Sequence, residues 1–351
     1  MFFKLHANCI PVKGAAQSVI CDLQRNILYP IPNSLHSLLQ EFEEKSIQEV
    51  LEQYSEDAAV ISEYLDFLKE NDLGFETPEP EKFPPLSTDY FSPEPLHNAL
   101  IEMDAIELGT LSSAIKALIS LNCRFVELWY YRTFDIEKVN LVARLIENST
   151  INSVKLYAPF LGTEELQSIS QITSLDLRFD IPVVHSCPQS LKAEEQYKGL
   201  IQCVSTKIRS SASCGCISKN NFAVNIEVFT ESQAYNTCLN RKVSIKADGT
   251  IRNCPVMSNG FGNINVDSLA TIIHSTAFQK YWKVNKDQIE VCQDCEFRYV
   301  CTDCRGLLTN PDNELSKPLK CGYDPYTAEW SNWKQNKEKL EVFSVYESHL
   351  F

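Results

Sequence analysis

Four cysteines fall within thirteen residues, in Cys292-Gln-Asp-Cys295 and Cys301-Thr-Asp-Cys304, and Cys321 follows. Two cysteines separated by two residues put both sulfurs on one side of a tight turn, within reach of one metal ion or cluster. Two such pairs with flanking cysteines are a strong metal signal. Upstream, Cys238 and Cys254 bracket the turn Ala247-Asp248-Gly249-Thr250. The segments 241–246 and 250–253 predict a hairpin with Asp-Gly at its tip, which brings the two thiols side by side. Cys214 and Cys216 come earlier, in Ser213-Cys-Gly-Cys-Ile217. Zinc and iron compete for such a set: zinc takes closed tetrahedral thiolate sites, and four thiolates suit an iron–sulfur cluster as well. Cys9, Cys21, Cys123 and Cys187 are scattered and read as core residues.

The chain has 351 residues, 44% hydrophobic and 22% charged, which is enough for two or three compact units with their own cores. A core of that size needs no disulfide staples, so the clustered thiols are left for chemistry. The net charge of −14 argues against a nucleic-acid or anionic-membrane surface, since each needs a clustered basic face. The first twenty residues carry Lys4, His6 and Lys13 without an apolar run of signal-peptide length, and no stretch is long enough to span a bilayer. The expectation is a cytoplasmic protein.

Three units separate by pattern. Residues 2–33 read as strands, with helices following over 35–42, 47–54 and 60–68; Ser34 and Ser46 are the expected caps of the first two. Pro78, Pro80, Pro84 and Pro85 mark an extended linker. Strand-like and helix-like segments then alternate: strands at 98–103, 124–131, 154–157, 174–179 and 181–184, with helices between them. This alternation predicts a parallel sheet, either doubly wound or a partial barrel. No Walker sequence or dinucleotide fingerprint occurs. Tyr130, Tyr131 and Arg132, at a strand end, are placed to line a pocket or to serve as core and rim.

The arrangement Cys238-x10-Gly249-x4-Cys254, Cys292-x2-Cys295-x5-Cys301-x2-Cys304 and Cys321 resembles the seven-cysteine SPASM domain of radical S-adenosylmethionine (SAM) peptide maturases. It departs in one place, since the usual spacing before Cys304 is three residues. The block from Lys286 to Cys301, with Asn236-Thr-Cys-Leu-Asn-Arg-Lys242 and Pro318-Leu-Lys-Cys-Gly-Tyr-Asp-Pro-Tyr326, is similar to the maturases of grasp-with-spasm systems. In those systems the maturase accompanies an ATP-grasp ligase and a short precursor peptide. The resemblance implies two [4Fe-4S] clusters, one on Cys292, Cys295, Cys301 and Cys321, the other on Cys214, Cys238, Cys254 and Cys304, with Cys216 the competitor of Cys214. It also implies an α/β protein of three parts. These are a winged-helix-like recognition element (1–77, or an unrelated α+β cap) that adds the precursor leader as a strand to the sheet edge of 2–29, a degenerate partial barrel (91–212) after the linker 78–90, and a SPASM domain (213–330) before a tail (331–351).

Radical SAM chemistry needs a further cluster on C-x3-C-x2-C, in the loop after the first barrel strand. That loop is expected at 104–109 and has no cysteine, and the motif occurs nowhere in the chain. The implied function is an accessory maturase that binds a precursor peptide without cleaving SAM. The alternatives are an independent redox enzyme with an open cluster site and a structural zinc adaptor.

Overall fold

The computed structural model describes residues 1–189, 191 and 197–350; Phe351, at the end of the expected tail, lies outside the described residues. Contacts divide the chain into one unit of Met1–Phe91, Ile217–Thr237 and Val284–Val342, and another of Ser92–Cys216, Cys238–Lys283 and Phe343–Phe351. The segment 213–330 is thus distributed over both units. No helix among the described residues is long and apolar enough to cross a membrane.

In the first unit, β1 (Phe2–Leu5) pairs antiparallel with β5 (Gly74–Thr77), while β2 (Cys9–Lys13), β3 (Ser18–Asp22) and β4 (Ile27–Ile31) form a separate meander. Between β4 and β5 run α1 (Asn33–Glu44), α2 (Ile47–Gln53) and α3 (Ala58–Glu70). The central strand explains why the unit takes in the cysteine-rich segment. All five residues of β3 are buried, and successive side chains of a strand point to opposite faces. Ile20 packs among Leu35, Leu39, Leu65 and Leu68 of the helices. Val19 and Cys21 pack instead with Ile217, Phe229, Phe297, Val300 and Tyr323. One sheet therefore has a core on each face.

Local chemistry fixes the helix ends. Ser46 and Glu49 close a capping box, with the Glu49 amide donating to Ser46 Oγ at 3.3 Å and the Ser46 amide to Glu49 Oε2 at 2.8 Å. The expected cap at Ser34 is not formed, because α1 starts two residues earlier with Pro32 at the capping position. The Asn33 side chain accepts from Ser18 Oγ at 2.6 Å and donates to the Ala15 carbonyl at 3.0 Å, tying the helix to the meander.

In the second unit a seven-stranded sheet has the order β10-β9-β8-β7-β6-β11-β12, built from Asn98–Glu102 (β6), Phe125–Trp129 (β7), Ser153–Pro159 (β8), Val183–His185 (β9), Gln202–Cys203 (β10), Lys242–Ile245 (β11) and Ile251–Arg252 (β12). All pairings are parallel except β11 with β12. Strands β6 to β10 lie in consecutive order, with α4 (Leu108–Ser120), α5 (Ile136–Ile146) and α6 (Thr163–Ser170) as crossovers. The later strand β11 then pairs with β6 on the side away from β7, so the sheet extends in both directions from its first strand. Ala99, Ile101, Val126, Leu128, Val154 and Leu156 form a fully buried apolar face. The registers place Glu102, Trp129 and Tyr157 side by side on the other face, next to the row of Glu127 and Lys155.

Residues 174–179 are not the expected strand. They form a 3-10 turn and a loop in which Asp176 binds Arg178, and only Phe179 makes a bridge, to Val154. The local Asp–Arg contact competes with a ladder, and Leu177 stays 99% exposed. The expected hairpin is present: Ser244 and Ile245 pair with Arg252 and Ile251. Gly249, at φ 87°, turns the chain where a Cβ would lie 2.7 Å from Asn263 Oδ1.

Candidate metal centre

Cys292 opens a short 3-10 turn (Cys292–Asp294), in which the Cys295 amide donates to the Cys292 carbonyl at 3.0 Å. A second turn follows at once, with the Cys301 amide bonded to the Phe297 carbonyl at 3.0 Å. Cys321 arrives from a distant segment and bridges to Ile217. Cys292, Cys295, Cys301 and Cys321 line one small cavity, and none of the four is in a disulfide. Just before the first cysteine, Val291 has φ 66°. A β-branched residue there is strained, at a cost on the order of 1–3 kcal/mol, and the strain turns the chain into the cysteine loop.

The other walls of the cavity are aromatic. Phe222, Phe297, Tyr323 and Trp330 form a closed ring of contacts, with centroid separations of 5.1, 5.1, 4.9 and 6.1 Å around the circuit. Such pairs add about 0.5–1.5 kcal/mol each beyond the area they bury. They also keep water from the sulfurs.

Lys286 lines the same cavity. It is buried with Asp303 and Arg305, all at 5% exposure or less. Arg305 donates to both carboxylate oxygens of Asp303 at 2.6 and 2.9 Å, and Asn236 adds a bond to Oδ2 at 2.6 Å. Lys286 Nζ lies 3.2 Å from Asp303 Oδ1, yet its N–H groups have no aligned hydrogen-bond acceptor. Two cations and one carboxylate leave one buried positive charge at the wall of a thiol-lined space. Burial pushes Cys292 up to about 11 and Cys301 up to about 12, with Lys286 pulling both down. Burial opposes the ammonium of Lys286, but Asp303, then Cys301 and Cys292, hold its pKa above the usual range.

This donor set suits an iron–sulfur cluster. Four thiolates outweigh the charge of a cluster core, so the filled cavity would be net negative and would answer both the spare donors and the excess charge of Lys286. Among the described residues, no three His, Cys, Asp or Glu side chains meet closely enough to hold a single ion. Here the thiols surround a space instead of converging on a point.

The other cysteines divide between the units. Cys214, Cys238 and Cys254 belong to the second unit and Cys304 to the first. Burial alone would lower the pKa of the Lys242 ammonium, but Cys238, then Glu127, Cys214 and Cys254, hold it above the usual range. Cys216 is exposed, whereas Cys214 is half-buried and Cys254 buried. The four scattered cysteines, Cys9, Cys21, Cys123 and Cys187, are buried as expected.

The loop after β6, residues 104–109, has no cysteine and ties two loops together. Asp104 accepts from the amides of Tyr131, Arg132 and Thr133 at 3.0, 3.1 and 3.1 Å and from Thr133 Oγ1 at 2.7 Å, clamping the loop that follows β7. Tyr130 is core, fully buried with its hydroxyl on the Asp135 carbonyl at 3.0 Å. Tyr131 donates to Glu102 Oε1 at 3.1 Å, and burial raises the pKa of both groups. Lys286, Asp303, Arg305 and the aromatic ring were missed in the sequence. The only signal was that charged residues stand inside and beside a cysteine block, where metal sites keep their supporting groups.

Residues 237–296 match the SPASM family model, an iron–sulfur cluster-binding domain. A search of the curated proteins finds no match. Among solved structures, Streptococcus suis SuiB bound to S-adenosylmethionine aligns at 8% identity and a TM-score of 0.34, covering 90% of this chain and 98% of that one. SuiB bound to the precursor peptide SuiA aligns at 8% identity and a TM-score of 0.37, covering 87% and 96%. Likeness at that level carries no inference. What the family match gives is that residues 237–296 are similar to an iron–sulfur cluster-binding domain.

Proposed function

We propose that this chain takes part in maturing a ribosomally made peptide, holds two [4Fe-4S] clusters, and works beside an ATP-grasp ligase without cleaving SAM. The observation that carries the reading is the cavity ringed by Cys292, Cys295, Cys301 and Cys321 in a chain with a SPASM match. In this reading those four thiolates hold one cluster, and Cys214, Cys238 and Cys254 serve the second. The clusters supply one-electron transfer or a rigid frame. The chain does the rest: Phe222, Phe297, Tyr323 and Trp330 exclude water, and Asp303 fixes Lys286, whose charge stabilises an added electron. The precursor peptide and the ligase are inferred from the resemblance in the cysteine blocks. The test is the mass of a precursor peptide co-expressed with the ATP-grasp ligase, with and without this protein. Identical masses in the two cultures would remove the maturation reading.

Two further outcomes are expected. The reduced, reconstituted protein releases no 5′-deoxyadenosine from SAM above a no-protein control, measured by chromatography, because no C-x3-C-x2-C is present; multiple turnover would contradict this. Cys214→Ala loses about half the iron, while Cys216→Ala keeps all of it, because Cys214 sits in the field of Lys242 and Cys216 faces solvent. The reverse pattern in an iron assay would make Cys216 the ligand.

A further inference from the structure

The turn between β2 and β3 reaches out of its sheet to the cysteine-bearing segments of the same unit. Lys13 and Ser18 close the ladder, and the residues between them direct their polar groups elsewhere. The Ala15 amide donates to the Asp294 carbonyl at 2.8 Å, and the Ala16 amide to the Pro325 carbonyl at 3.0 Å. Arg298 Nη1 donates to the Lys13 carbonyl at 2.6 Å and to the Cys295 carbonyl at 3.0 Å. Gln17 Nε2 donates to Glu296 Oε1 at 2.8 Å and to the Tyr323 hydroxyl at 3.3 Å.

Two stretches far apart in sequence are thus held by one turn. The first, 294–298, contains Cys295; the second, 323–325, begins two residues after Cys321. They also meet directly, since the Tyr323 hydroxyl donates to Glu296 Oε1 and that of Tyr326 to Asp294 Oδ2 at 2.7 Å. The ring of Tyr323 is itself a wall of the thiol cavity. From the other side, Asn33 Nδ2 donates to the carbonyls of Gly14 and Ala15 at 3.3 and 3.0 Å. Helix α1 therefore binds the acceptors of the turn while the cysteine-bearing segments take its donors. The approach is close enough to require glycine at 14, where a Cβ would lie 2.8 Å from Glu296 Oε2. Glu296 is 0% exposed, so its carboxylate has no solvent to retreat into.

We infer that Gln17 is a positioning residue for the cavity of Cys292, Cys295, Cys301 and Cys321, and that the 13–17 turn latches the two stretches at the spacing that encloses it. The inference rests on the cluster reading and adds a regulation of that site. Filling the cavity orders the turn, and an ordered turn favours filling, because coupling between two sites is reciprocal. The state of the cavity is thereby passed to β2 and β3 and, through Asn33, to α1.

The test uses the full-length protein, loaded with iron and sulfide or stripped by a chelator, and follows deuterium uptake of a peptide spanning 13–17 by mass spectrometry. Stripping is expected to speed uptake there about tenfold or more, while peptides from α3 stay protected and show that the unit remains folded. Cys214→Ala, which spares this cavity, is expected to leave uptake at 13–17 unchanged. Gln17→Leu nearly keeps the size of a half-buried side chain and removes its donation. It is expected to release metal to the chelator about tenfold faster and to alter the electron paramagnetic resonance signal of one cluster only. Unchanged uptake on stripping overturns the inference, as does metal release from Gln17→Leu at the parent rate. Equal changes in both cluster signals also overturn it, since they would make Gln17 a residue of general stability. Stoichiometric zinc in place of iron, with the turn still answering its removal, sinks the cluster reading and leaves the latch standing. Two clusters per chain with an unresponsive turn do the reverse.

Discussion

Cys301→Ala is expected to take the iron of anaerobically purified protein from about eight atoms per chain to about four, with acid-labile sulfide falling in step. Cys301 is buried at the cavity wall with Cys292, Cys295 and Cys321. Three thiolates leave one iron of a four-iron cluster without a protein ligand, and burial, which raises the pKa of Cys292 and Cys295, favours their neutral forms once the cluster is weakened. Because cluster binding is linked to folding, the loss is also one of stability, on the order of several kcal/mol. The control is Cys123→Ala, a fully buried cysteine of the second unit. It should lower stability by about 1 kcal/mol through packing and leave iron unchanged. Iron and zinc analysis with a thermal melt separates the outcomes. Stoichiometric zinc with negligible iron in the parent protein would replace the cluster reading, and unchanged iron in Cys301→Ala would remove Cys301 from the ligand set.

What could be read from the sequence was what is local. The spacing of Cys292, Cys295 and Cys301 can be read because metal chemistry needs thiols within one or two turns of each other. The Asp248-Gly249 hairpin was readable for the same reason, since its turn, its strands and its register all lie within a dozen residues. The Ser46–Glu49 capping box is a four-residue signal. What depends on distant chain was not readable. Strand β5 is only four residues long and owes its existence to β1, some seventy residues earlier. Asn33 opens α1 in place of Ser34 because its side chain finds Ser18 across the meander. The separation of the N-terminal unit from the cysteine-rich segment was an expectation of sequence order alone. The unbroken apolar run Val19-Ile20-Cys21 did carry a warning, since a strand buried on one face alternates and one buried on both does not.

The polar face of the parallel sheet bears on the same question. Burial raises Glu102, which is bonded to Tyr131, and Glu127 accepts from Trp129 Nε1 at 2.7 Å. These groups pair on a face that no local pattern singles out, because alternation along each strand is masked by the apolar residues between them. Asp104 shows the other side of this. The loop after β6 has no cysteine, and Asp104 binds it to the next loop through four donors. The scaffold keeps a hydrogen-bonded loop in that place.

Lys286→Met tests the buried charge directly. Methionine fills nearly the same volume without the ammonium, so the cavity keeps its shape while one positive charge is lost. Asp303 retains Arg305 and Asn236, with bonds of 2.6 to 2.9 Å, and is not stranded. The expected cost in stability is therefore below the roughly 3–5 kcal/mol of breaking an isolated buried pair. The larger effect is on the electron. By Coulomb's law a unit charge within several ångströms of an added electron, at an effective dielectric constant of about 20, would change its energy by about 3 kcal/mol. Converted at the same distance, that is on the order of 100 mV. The sign follows from the charge: without Lys286 the reduced form loses a stabilising cation, so the potential of the cluster proposed for Cys292, Cys295, Cys301 and Cys321 is expected to become more negative. Lys286→Arg, which keeps the charge, should restore most of it. A potentiometric titration followed by electron paramagnetic resonance reads the two clusters separately, and only one of them should move. Equal potentials in Lys286→Met and the parent would show that the lysine serves the fold alone.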